Sequence, residues 1–548
     1  MRLCYAITVG LISIALPVAQ SAAAAPARGS VRGGTLHGTS ARPFGKRPYY
    51  VRSRRPGVDP LSLLVLGGGS RTTAIAYSGV AAAQGAQPAV DQGVGSVLWY
   101  FQQHAPLPVN DGTNKPYAAS YCQTGGGFGI DVMDGTVAQP NPCPALGSDF
   151  NGFLNAFDSP GSTDDADFAD SDIPVTQAQY NAVAAEYPDH GELVQVPYLA
   201  ASVAIAYHNS NVTSSATNGN RLRLTVADVC KIADGEITNW DQLPLATDPG
   251  QSNLPLTASP FNAVDAKTNP GFPSKSITFV YRSDRSGTNL SFTNFLSAAV
   301  GTIGPGTRTH CTGTGEGWGL NANFLSALPV FNGQNVTDFA AADGNSAVVR
   351  DVDAVDGAIG YVETANTLAL TTNATYLANI YVVNSASFLK NPVADLPSSA
   401  KYIDLFKKDD VIVQTCGSGN STIGCVGVGG RPIPDLRAAT GVFKAGCLGI
   451  VDPASYAAPV LGYPIVTVAN LEFYSSGNGI YAPALRYLAD EMTNPATSWG
   501  PSSVTANSGI TTVDREGTSV GQTGFSSLGI NDSFFSNAYI GLLPNCIG

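Results

Sequence analysis

The segment from Ser276 to Leu296 contains the residue types and spacing best suited to binding an anion. Arg282 ends an apolar run that predicts a buried strand, and a hydroxyl-glycine-hydroxyl triplet then opens a run with helical spacing. The first turn of a helix presents unpaired backbone N–H groups and a positive dipole end, and glycine lets an anion approach closely. We therefore predict an oxyanion site formed by four residues: Arg282, Ser286, Gly287 and Thr288.

Asp284 lies within this segment and could fix the guanidinium of Arg282 in position. These residues alone also fit a purely structural role, without a bound anion. A capped helix beside a surface Arg–Asp pair would look the same and would contribute only about 0–1 kcal/mol. The segment is neither a GxxxxGK[ST] phosphate loop nor a dinucleotide fingerprint, so nucleotide binding is not indicated.

Short apolar runs alternate with helical patterns along the chain and indicate an α/β fold. The first run, Leu61–Leu66, ends in three glycines and predicts a buried strand that enters a tight loop. Further strands are predicted over five ranges: Leu193–Tyr207, Ile277–Tyr281, Ala358–Val362, Ile380–Val383 and Tyr463–Phe473. Helices are predicted over Val226–Ala233 and Tyr481–Met492.

Composition excludes several classes of protein and of partner. Of the 548 residues 13% are charged and 44% hydrophobic, which excludes a disordered chain and a coiled coil. The formal net charge is −12, although residues 1–55 carry only basic side chains among their charged residues. The remainder is strongly acidic, which disfavours nucleic acid and anionic lipid, so any anion needs a local, directional site.

The N-terminus has the pattern of a cleavable export signal. A basic start precedes an apolar run from Leu3 to Val18, and small residues follow, so we predict a signal peptide over residues 1–25. No later run reaches about 18 apolar residues, so we expect no membrane insertion after cleavage. Residues 26–60 predict a basic flexible leader. We expect a periplasmic or secreted protein.

Cysteine usage agrees with export. Without the signal peptide eight cysteines remain, an even number that predicts four disulfides in an oxidising compartment. No pair has CxxC spacing and the five histidines do not fall at ligand spacing, so we predict no metal site. We expect sequential pairing: Cys122–Cys143, Cys230–Cys311, Cys416–Cys425 and Cys447–Cys546.

Five ordered motifs resemble those of the high-affinity phosphate-binding proteins of bacterial phosphate importers (PstS-like proteins) and of their DING relatives. The segment around Arg282 is one of them. The others are a helix followed by GxIxxW, two crossing strands and GAIGYVE, found at Leu224–Trp240, Gln195–Tyr207, Tyr463–Phe473 and Gly357–Glu363. Cys230 and the terminal Asn545-Cys546-Ile547-Gly548 resemble the DING branch in particular. The resemblance runs from about Gly67 to the C-terminus, with insertions.

The resemblance implies a two-lobed α/β periplasmic-binding-protein (type II) fold. In that fold two crossing segments join the lobes, which close over one dehydrated phosphate in the cleft between them. We expect lobe one to combine residues 61–197 with 463–548, and lobe two to span residues 198–462.

The resemblance also implies the ligand residues. The third family loop matches the four residues of the oxyanion site, and the family's buried aspartate matches Asp172. An ionised carboxylate accepts hydrogen bonds but donates none, so it would accept from protonated phosphate and repel fully ionised sulfate. The competing interpretation is a calcium site, although the spacing of the acids lacks the EF-hand pattern. Its ligands would be Asp164, Asp165, Asp167, Asp170 and Asp172.

Two further loops depart from the family pattern. Gly68–Thr73 replaces Gly-Gly-Ala-Thr-Leu-Pro, so either Thr72 takes over by a one-residue shift or Arg71 adds a second cation. In the second loop the family serine is absent, and Thr124 or backbone N–H groups such as that of Gly126 would substitute. One lost hydroxyl in a dry site would weaken binding about ten- to a hundredfold, so another oxyanion or a phosphate ester stays open as ligand.

Three functions fit these observations. The first is a monomeric, cofactor-free receptor that captures inorganic phosphate non-covalently and presents it to an ABC permease. The second is a secreted DING-type phosphatase, although the chain has no HExxH motif and no histidine near the candidate loops in sequence. The third is a secreted phosphate-scavenging or adhesive protein that works without a permease.

Overall fold

The computed structural model of the chain describes residues 50–52, 61–78, 97–105, 115–134, 166–211, 222–243, 274–299, 318, 320–328, 339–369, 375–381, 389–390, 411–412, 426–427, 431–432, 450–451, 456–457, 462–493, 512–513, 519–520, 525–527 and 546–548. The predicted signal peptide lies outside these residues. So do five cysteines of the predicted disulfides: Cys143, Cys311, Cys416, Cys425 and Cys447.

The described strands are mostly short, with two long exceptions. They are β1 (Tyr50–Arg52), β2 (Leu61–Val65), β3 (Gly67–Gly69), β4 (Tyr117–Ala119), β5 (Cys122–Gln123), β6 (Phe168–Ser171), β7 (Leu193–Tyr207), β8 (Arg223–Thr225), β9 (Thr278–Arg282), β10 (Phe339–Ala342), β11 (Ala358–Glu363), β12 (Tyr376–Leu377), β13 (Asn379–Tyr381), β14 (Leu389–Lys390), β15 (Val411–Ile412), β16 (Val426–Gly427), β17 (Arg431–Pro432), β18 (Ile450–Val451), β19 (Val466–Tyr474), β20 (Thr512–Val513), β21 (Ser519–Val520) and β22 (Phe525–Ser527).

The described helices lie between these strands. They are α1 (Ala74–Ser78), α2 (Val97–His104), α3 (Gly126–Met133), α4 (Gln177–Glu186), α5 (Val226–Ala233), α6 (Gly287–Ala299), α7 (Phe324–Ala327), α8 (Asn345–Ala354), α9 (Thr364–Ala369) and α10 (Ala482–Thr493). Local chemistry sets some of the boundaries. Thr225 starts α5 because its hydroxyl accepts from the Asp228 backbone N (3.1 Å) while the Asp228 carboxylate accepts from the Thr225 backbone N (2.8 Å).

One mixed sheet carries the architecture, in the order β10-β9-β11-β7-β19-β6-β3-β5, with β12 and β22 also paired to β7. On one side β9, β10 and β11 run parallel, and on the other side β3, β5 and β6 run parallel. The long strands β7 and β19 lie between them and run antiparallel to their neighbours. Parallel strands with intervening helices are typical of α/β folds.

The strand β7 changes partner along its length and thereby divides the sheet. Residues 193–202 pair with β19, whereas residues 203–207 pair with β11. The apolar side chains divide in the same way: Val196 and Leu199 belong to a core with β19 and α10, and Val203 and Ile205 belong to a core with β9 and α6. The predicted two-lobed α/β fold with two crossing strands is confirmed. Lobe one holds β3, β5 and β6, and lobe two holds β9, β10 and β11.

Most predicted elements are confirmed, two of them with the predicted bounds: the strand over Leu193–Tyr207 and the helix over Val226–Ala233. The exact residue boundaries of the lobes stay a prediction. Residues 50–52 of the predicted leader form β1, which pairs antiparallel with β2, and the flexible leader stays a prediction. Outside those three residues, the leader lies beyond the described residues.

Three of the predicted disulfide cysteines, Cys122, Cys230 and Cys546, are disulfide-bonded. Their connectivity stays a prediction. Among the described residues, we find no helix with both the length and the apolar character needed to cross a membrane.

Close packing between β3 and β6 gives a test of the fold. A side chain at Gly67 would overlap the ring of Phe168, its neighbour across the strand pair. We expect Gly67→Ala to lower the free energy of unfolding by about 1–3 kcal/mol, measured by urea denaturation, because it overpacks the core. The double change Gly67→Ala/Phe168→Leu should lower the free energy of unfolding by less than the sum of the two single changes. Additive losses of free energy would contradict this contact.

Candidate anion-binding site

Loops that follow parallel strands of both lobes meet at one place. Lobe one contributes the loops after β3, β5 and β6, which lead to Thr72, Gly126 and Asp172. Lobe two contributes the loops after β9 and β10, which carry Asp284 and Gly344. Ligands of open α/β sheets bind outside the carboxyl ends of the strands, so this junction is the candidate site.

Arg282 is the last residue of β9, and only 1% of its side chain is exposed. Its Nε donates to Asp284 Oδ1 (2.6 Å) and its Nη2 donates to Asp284 Oδ2. Its Nη1 donates to Asn345 Oδ1 (2.6 Å) and to Thr288 Oγ1 (3.2 Å). These contacts use four of the five N–H bonds of the guanidinium, so the second Nη2 hydrogen and the Thr288 hydroxyl can serve an anion.

Asp284 fixes the orientation of Arg282 and ties it to the start of α8. Besides the two bonds from Arg282, its Oδ1 accepts from the Gly344 backbone N (3.2 Å). Burial favours the neutral acid, but the charge and hydrogen bonds of Arg282 outweigh burial and lower the pKa of Asp284 to about 2. The carboxylate is therefore ionised at neutral pH and holds the guanidinium in one orientation.

Asn289 supports the turn between β9 and α6. Its amide Nδ2 donates to the carbonyl oxygens of Arg282 (3.1 Å) and Asp284 (2.8 Å), and Tyr361 donates its hydroxyl to Asn289 Oδ1 (2.6 Å). The side chain of Asn289 is fully buried. This network keeps Arg282 and the start of α6 in a fixed relation.

Asp172 joins the two lobes from the loop after β6. Its Oδ2 accepts from Thr72 Oγ1 (2.8 Å) in lobe one, and its Oδ1 accepts from the Gly287 backbone N (3.1 Å) in lobe two. Thr72 Oγ1 and Thr288 Oγ1 lie 3.4 Å apart. Burial raises the pKa of Asp172, while the Thr72 hydrogen bond and the charge of Arg282 act in the opposite direction. The result is a buried polar cluster beside Arg282.

Two glycines allow backbone to lie against the Asp172 carboxylate. A Cβ atom at Gly287 or at Gly126 would overlap this carboxylate. Gly126 is the first residue of α3, and Gly125 before it has a φ of 102°, a conformation that favours glycine. The first turns of α3 and α6 therefore both face the cluster, one from each lobe.

The hydroxyls of Ser286 and Thr124 have local partners. Ser286 Oγ accepts from the Asn289 backbone N (3.1 Å), as an N-cap of α6 does. Thr124 Oγ1 donates to the Gly125 carbonyl oxygen (3.3 Å). For the second loop the geometry therefore favours the backbone of Gly126 over the hydroxyl of Thr124.

For the first loop the geometry favours Thr72 over Arg71. Thr72 is buried and donates to Asp172, as described above. The Nη1 of Arg71 instead donates to Asp343 Oδ1 (2.7 Å) and lies 3.7 Å from Asp284 Oδ2. The positive charge of Arg71 thus acts on Asp284, the residue that holds Arg282.

The acidic residues that also suggested calcium have separate partners. Asp167 accepts from the Leu66 backbone N (2.7 Å), and Asp170 accepts from the Thr73 hydroxyl (2.8 Å) and from a tyrosine hydroxyl. Asp164 and Asp165 lie outside the described residues. In the part of the chain that the structure describes, no group of three or more His, Cys, Asp or Glu side chains could hold a metal ion.

Asp170 belongs to a buried cluster that supports the first loop. Tyr198 and Thr73 donate to its Oδ2, and Tyr121 donates its hydroxyl to the Ser70 carbonyl oxygen (2.7 Å). Burial raises the pKa of Asp170 to about 7, although the hydrogen bonds from Tyr198 and Thr73 act to lower it. Asp170 supports the first loop through its hydroxyl partners and is not among the predicted phosphate ligands.

Sequence reasoning missed the contribution of the loop after β10. Asn345 and Gly344 contact Arg282 and Asp284, yet neither residue was predicted to belong to the site. The available signal was a short strand followed by Asp-Gly-Asn and a helical pattern, the same order as at β9 and α6.

Residues 161–415 match the model of the PBP superfamily domain. The predicted resemblance to PstS-like phosphate-binding proteins is thereby confirmed, together with the periplasmic-binding-protein type of fold. The match begins before β6 and therefore includes Asp172 and the whole β9–α6 segment.

Curated relatives share moderate identity with this chain. It is 29% identical over 223 residues to "Alkaline phosphatase L" of Pseudomonas aeruginosa (strain UCBPP-PA14), covering 40% of this chain and 45% of that protein. It is 28% identical over 246 residues to a "Phosphate-binding protein" of an unknown prokaryotic organism, covering 44% and 54%. The chain thus spans about half the length of the curated relatives it matches.

A solved structure covers more of the chain at lower identity. It is a high-affinity periplasmic phosphate-binding protein (PfluDING) bound with phosphate, with 19% identity and a TM-score of 0.46. The alignment covers 81% of this chain and 89% of that one.

The raised pKa of Asp170 predicts a pH dependence of stability. Because the pKa is about 7 in the folded state and about 3.9 in an unfolded chain, the folded state binds more protons between these values. The free energy of unfolding should therefore fall as pH rises from about 4 to 7. We expect Asp170→Asn to remove about 2–4 kcal/mol of this fall, measured by urea denaturation across that range in phosphate-free buffer.

In the Asp170→Asn variant, other buried carboxyls will leave part of the fall in the free energy of unfolding with pH. Burial raises the pKa of Glu363 to about 8, which acts in the same direction as Asp170. Asp241→Asn, at an exposed carboxyl, is the control. If the free energy of unfolding falls equally with pH in Asp170→Asn and in the unchanged protein, Asp170 is ionised across this pH range.

Proposed function

We propose that this protein captures inorganic phosphate non-covalently between its two lobes. The observation that carries the proposal is the buried guanidinium of Arg282, held by Asp284 beside Thr288 and next to the acceptor carboxylate of Asp172. A buried cation with hydroxyl and backbone donors attracts an oxyanion. The name of one relative, "Phosphate-binding protein", supports phosphate as that oxyanion.

Asp172 gives the site its discrimination. A carboxylate accepts a hydrogen bond from HPO₄²⁻ or H₂PO₄⁻, whereas sulfate carries no proton at neutral pH and would face an unpaired negative charge. The ligands we propose are Thr72, the backbone of Gly126, Asp172 and the β9–α6 residues Arg282, Ser286, Gly287 and Thr288. Ser286 and Gly287 would act through the start of the helix.

We further propose that the protein is exported, acts as a monomer and delivers phosphate to an ABC permease. Support for export comes from the signal-like N-terminus and the disulfide-bonded cysteines. An acidic body does not itself attract anions, so capture depends on the local site described above.

Replacing Arg282 tests the proposed ligand role. Arg282→Lys keeps a positive charge beside Asp284 but loses the planar fork, so folding should persist while phosphate affinity falls about ten- to a hundredfold. Equilibrium dialysis of phosphate-stripped protein against radiolabelled phosphate measures this change. Arg350→Lys, on the exposed face of α8, is the matched control. Unchanged affinity together with lowered stability would make Arg282 a structural ion-pair residue only.

Replacing Asp172 tests the proposed selectivity. Asp172→Asn keeps the shape and one acceptor oxygen but supplies N–H donors, so sulfate should gain affinity relative to phosphate by about tenfold or more. Competition of sulfate against radiolabelled phosphate gives the ratio for both proteins. An unchanged ratio would remove Asp172 from the selective role.

A phosphomonoesterase is the second candidate, because relatives reported above carry the name "Alkaline phosphatase L". Hydrolysis would need a nucleophile or an activated water near the cluster. Release of p-nitrophenol from its phosphate ester by purified protein tests it. Multiple turnovers that disappear in Arg282→Lys would favour this function over simple capture.

A further inference from the structure

Arg71 reaches from lobe one to lobe two. It follows β3, and its Nη1 donates to Asp343 Oδ1 (2.7 Å), which lies just after β10. The side chain of Arg71 is 20% exposed and that of Asp343 is 71% exposed, so this ion pair lies at the edge of the junction. Arg71 Nη1 also lies 3.7 Å from Asp284 Oδ2, which connects the pair to the group that orients Arg282.

Arg285 makes the reverse connection, from lobe two to lobe one. It lies in the turn between β9 and α6, and its Nη1 donates to both carboxylate oxygens of Asp131 on α3, each at 2.7 Å. These side chains are 34% and 22% exposed. Each lobe thus supplies one arginine and one aspartate to the other.

Glycines make room for both arginines on the opposite lobe. A Cβ atom at Gly344, next to Asp343, would overlap the guanidinium of Arg71. A Cβ atom at Gly127, on α3, would lie 2.8 Å from Arg285 Cγ and 2.9 Å from its Cδ. Gly127 is the second residue of α3, and Arg285 occupies the space that a side chain there would need.

A small apolar cluster lies beside these ion pairs, at the contact between the two lobes, which we call the seam. Ile130 and Ile173 of lobe one pack with Leu290, Leu320 and Ala322 of lobe two. Ile130 precedes Asp131 on α3, and Leu290 lies on α6, which begins just after the turn that carries Arg285. The two lobes therefore meet through an apolar patch and two ion pairs of opposite direction.

We propose that the pairs Arg71–Asp343 and Arg285–Asp131 form an ionic clasp that holds the lobes closed and sets how fast a bound anion leaves. The inference rests on the proposed function for the identity of the anion, but not for the clasp itself. Opening the seam breaks both pairs and returns four charged groups to water. Because the pairs are partly exposed, salt screens them, so the dissociation rate should rise with ionic strength.

Each ion pair should slow phosphate dissociation by a modest but measurable factor. For partly exposed ion pairs we expect Arg71→Gln and Arg285→Gln each to raise the phosphate dissociation rate about two- to fivefold. The double variant should also lose most of the salt dependence of that rate. The charge-reversed pair Arg285→Asp/Asp131→Arg should recover part of the loss seen in Arg285→Asp.

Stopped-flow displacement of phosphate into a fluorescent phosphate sensor, at about 20 to 500 mM NaCl, measures these rates. Lys275→Gln is the matched control, because the Lys275–Asp356 ion pair (2.6 Å) lies wholly within lobe two. Equal rates and equal salt dependence in the double variant and the unchanged protein would overturn the clasp.

A readout without ligand separates the clasp from the proposed function. Small-angle X-ray scattering of phosphate-free protein should show a larger radius of gyration for the double variant, and also for Gly127→Ala, which keeps all four charges. Lys275→Gln should leave the radius unchanged. If the protein binds no phosphate, the proposed function fails, and these radii still decide on the clasp: identical radii in all variants would reject it.

Discussion

The whole junction depends on a buried positive charge that must be satisfied. Arg282 lies at the end of β9 with almost no exposure, and Asp284 supplies the compensating carboxylate two residues later. Breaking such a pair typically costs about 3–5 kcal/mol, because it leaves an unpaired charge away from water. The start of α8, at Gly344 and Asn345, then closes around the pair. An anion that enters meets donors already held in place, so little ordering remains to oppose binding.

The crossing strands connect the two halves of the site. β7 pairs with β19 along one part and with β11 along the other, so each lobe continues into the other through regular strands. Asp172 and Thr72 lie on one side of this connection, and Arg282 and Thr288 lie on the other. Rotation about the crossing strands would separate acceptor from donor. Binding and closure are therefore expected to be one event.

Local patterns predicted the elements well and the long-range contacts poorly. The alternating apolar runs predicted β7 and α5 with their bounds, and the strand–turn–helix order predicted the Arg282 segment. The partners of Arg71 and Arg285 lie 272 and 154 residues away in the chain, and no local periodicity encodes such pairs. Likewise, no local pattern predicted the strand β1 at residues 50–52, which pairs with β2.

The most direct test is calorimetric titration of phosphate-stripped mature protein with phosphate, followed by sulfate. The buried cluster of Arg282, Thr288, Thr72 and Asp172 predicts tight, one-to-one phosphate binding that sulfate does not displace. Glycerol phosphate, titrated in parallel, shows whether an ester is accepted. Absence of phosphate binding, or equal binding of sulfate, would contradict a phosphate receptor and leave only the fold.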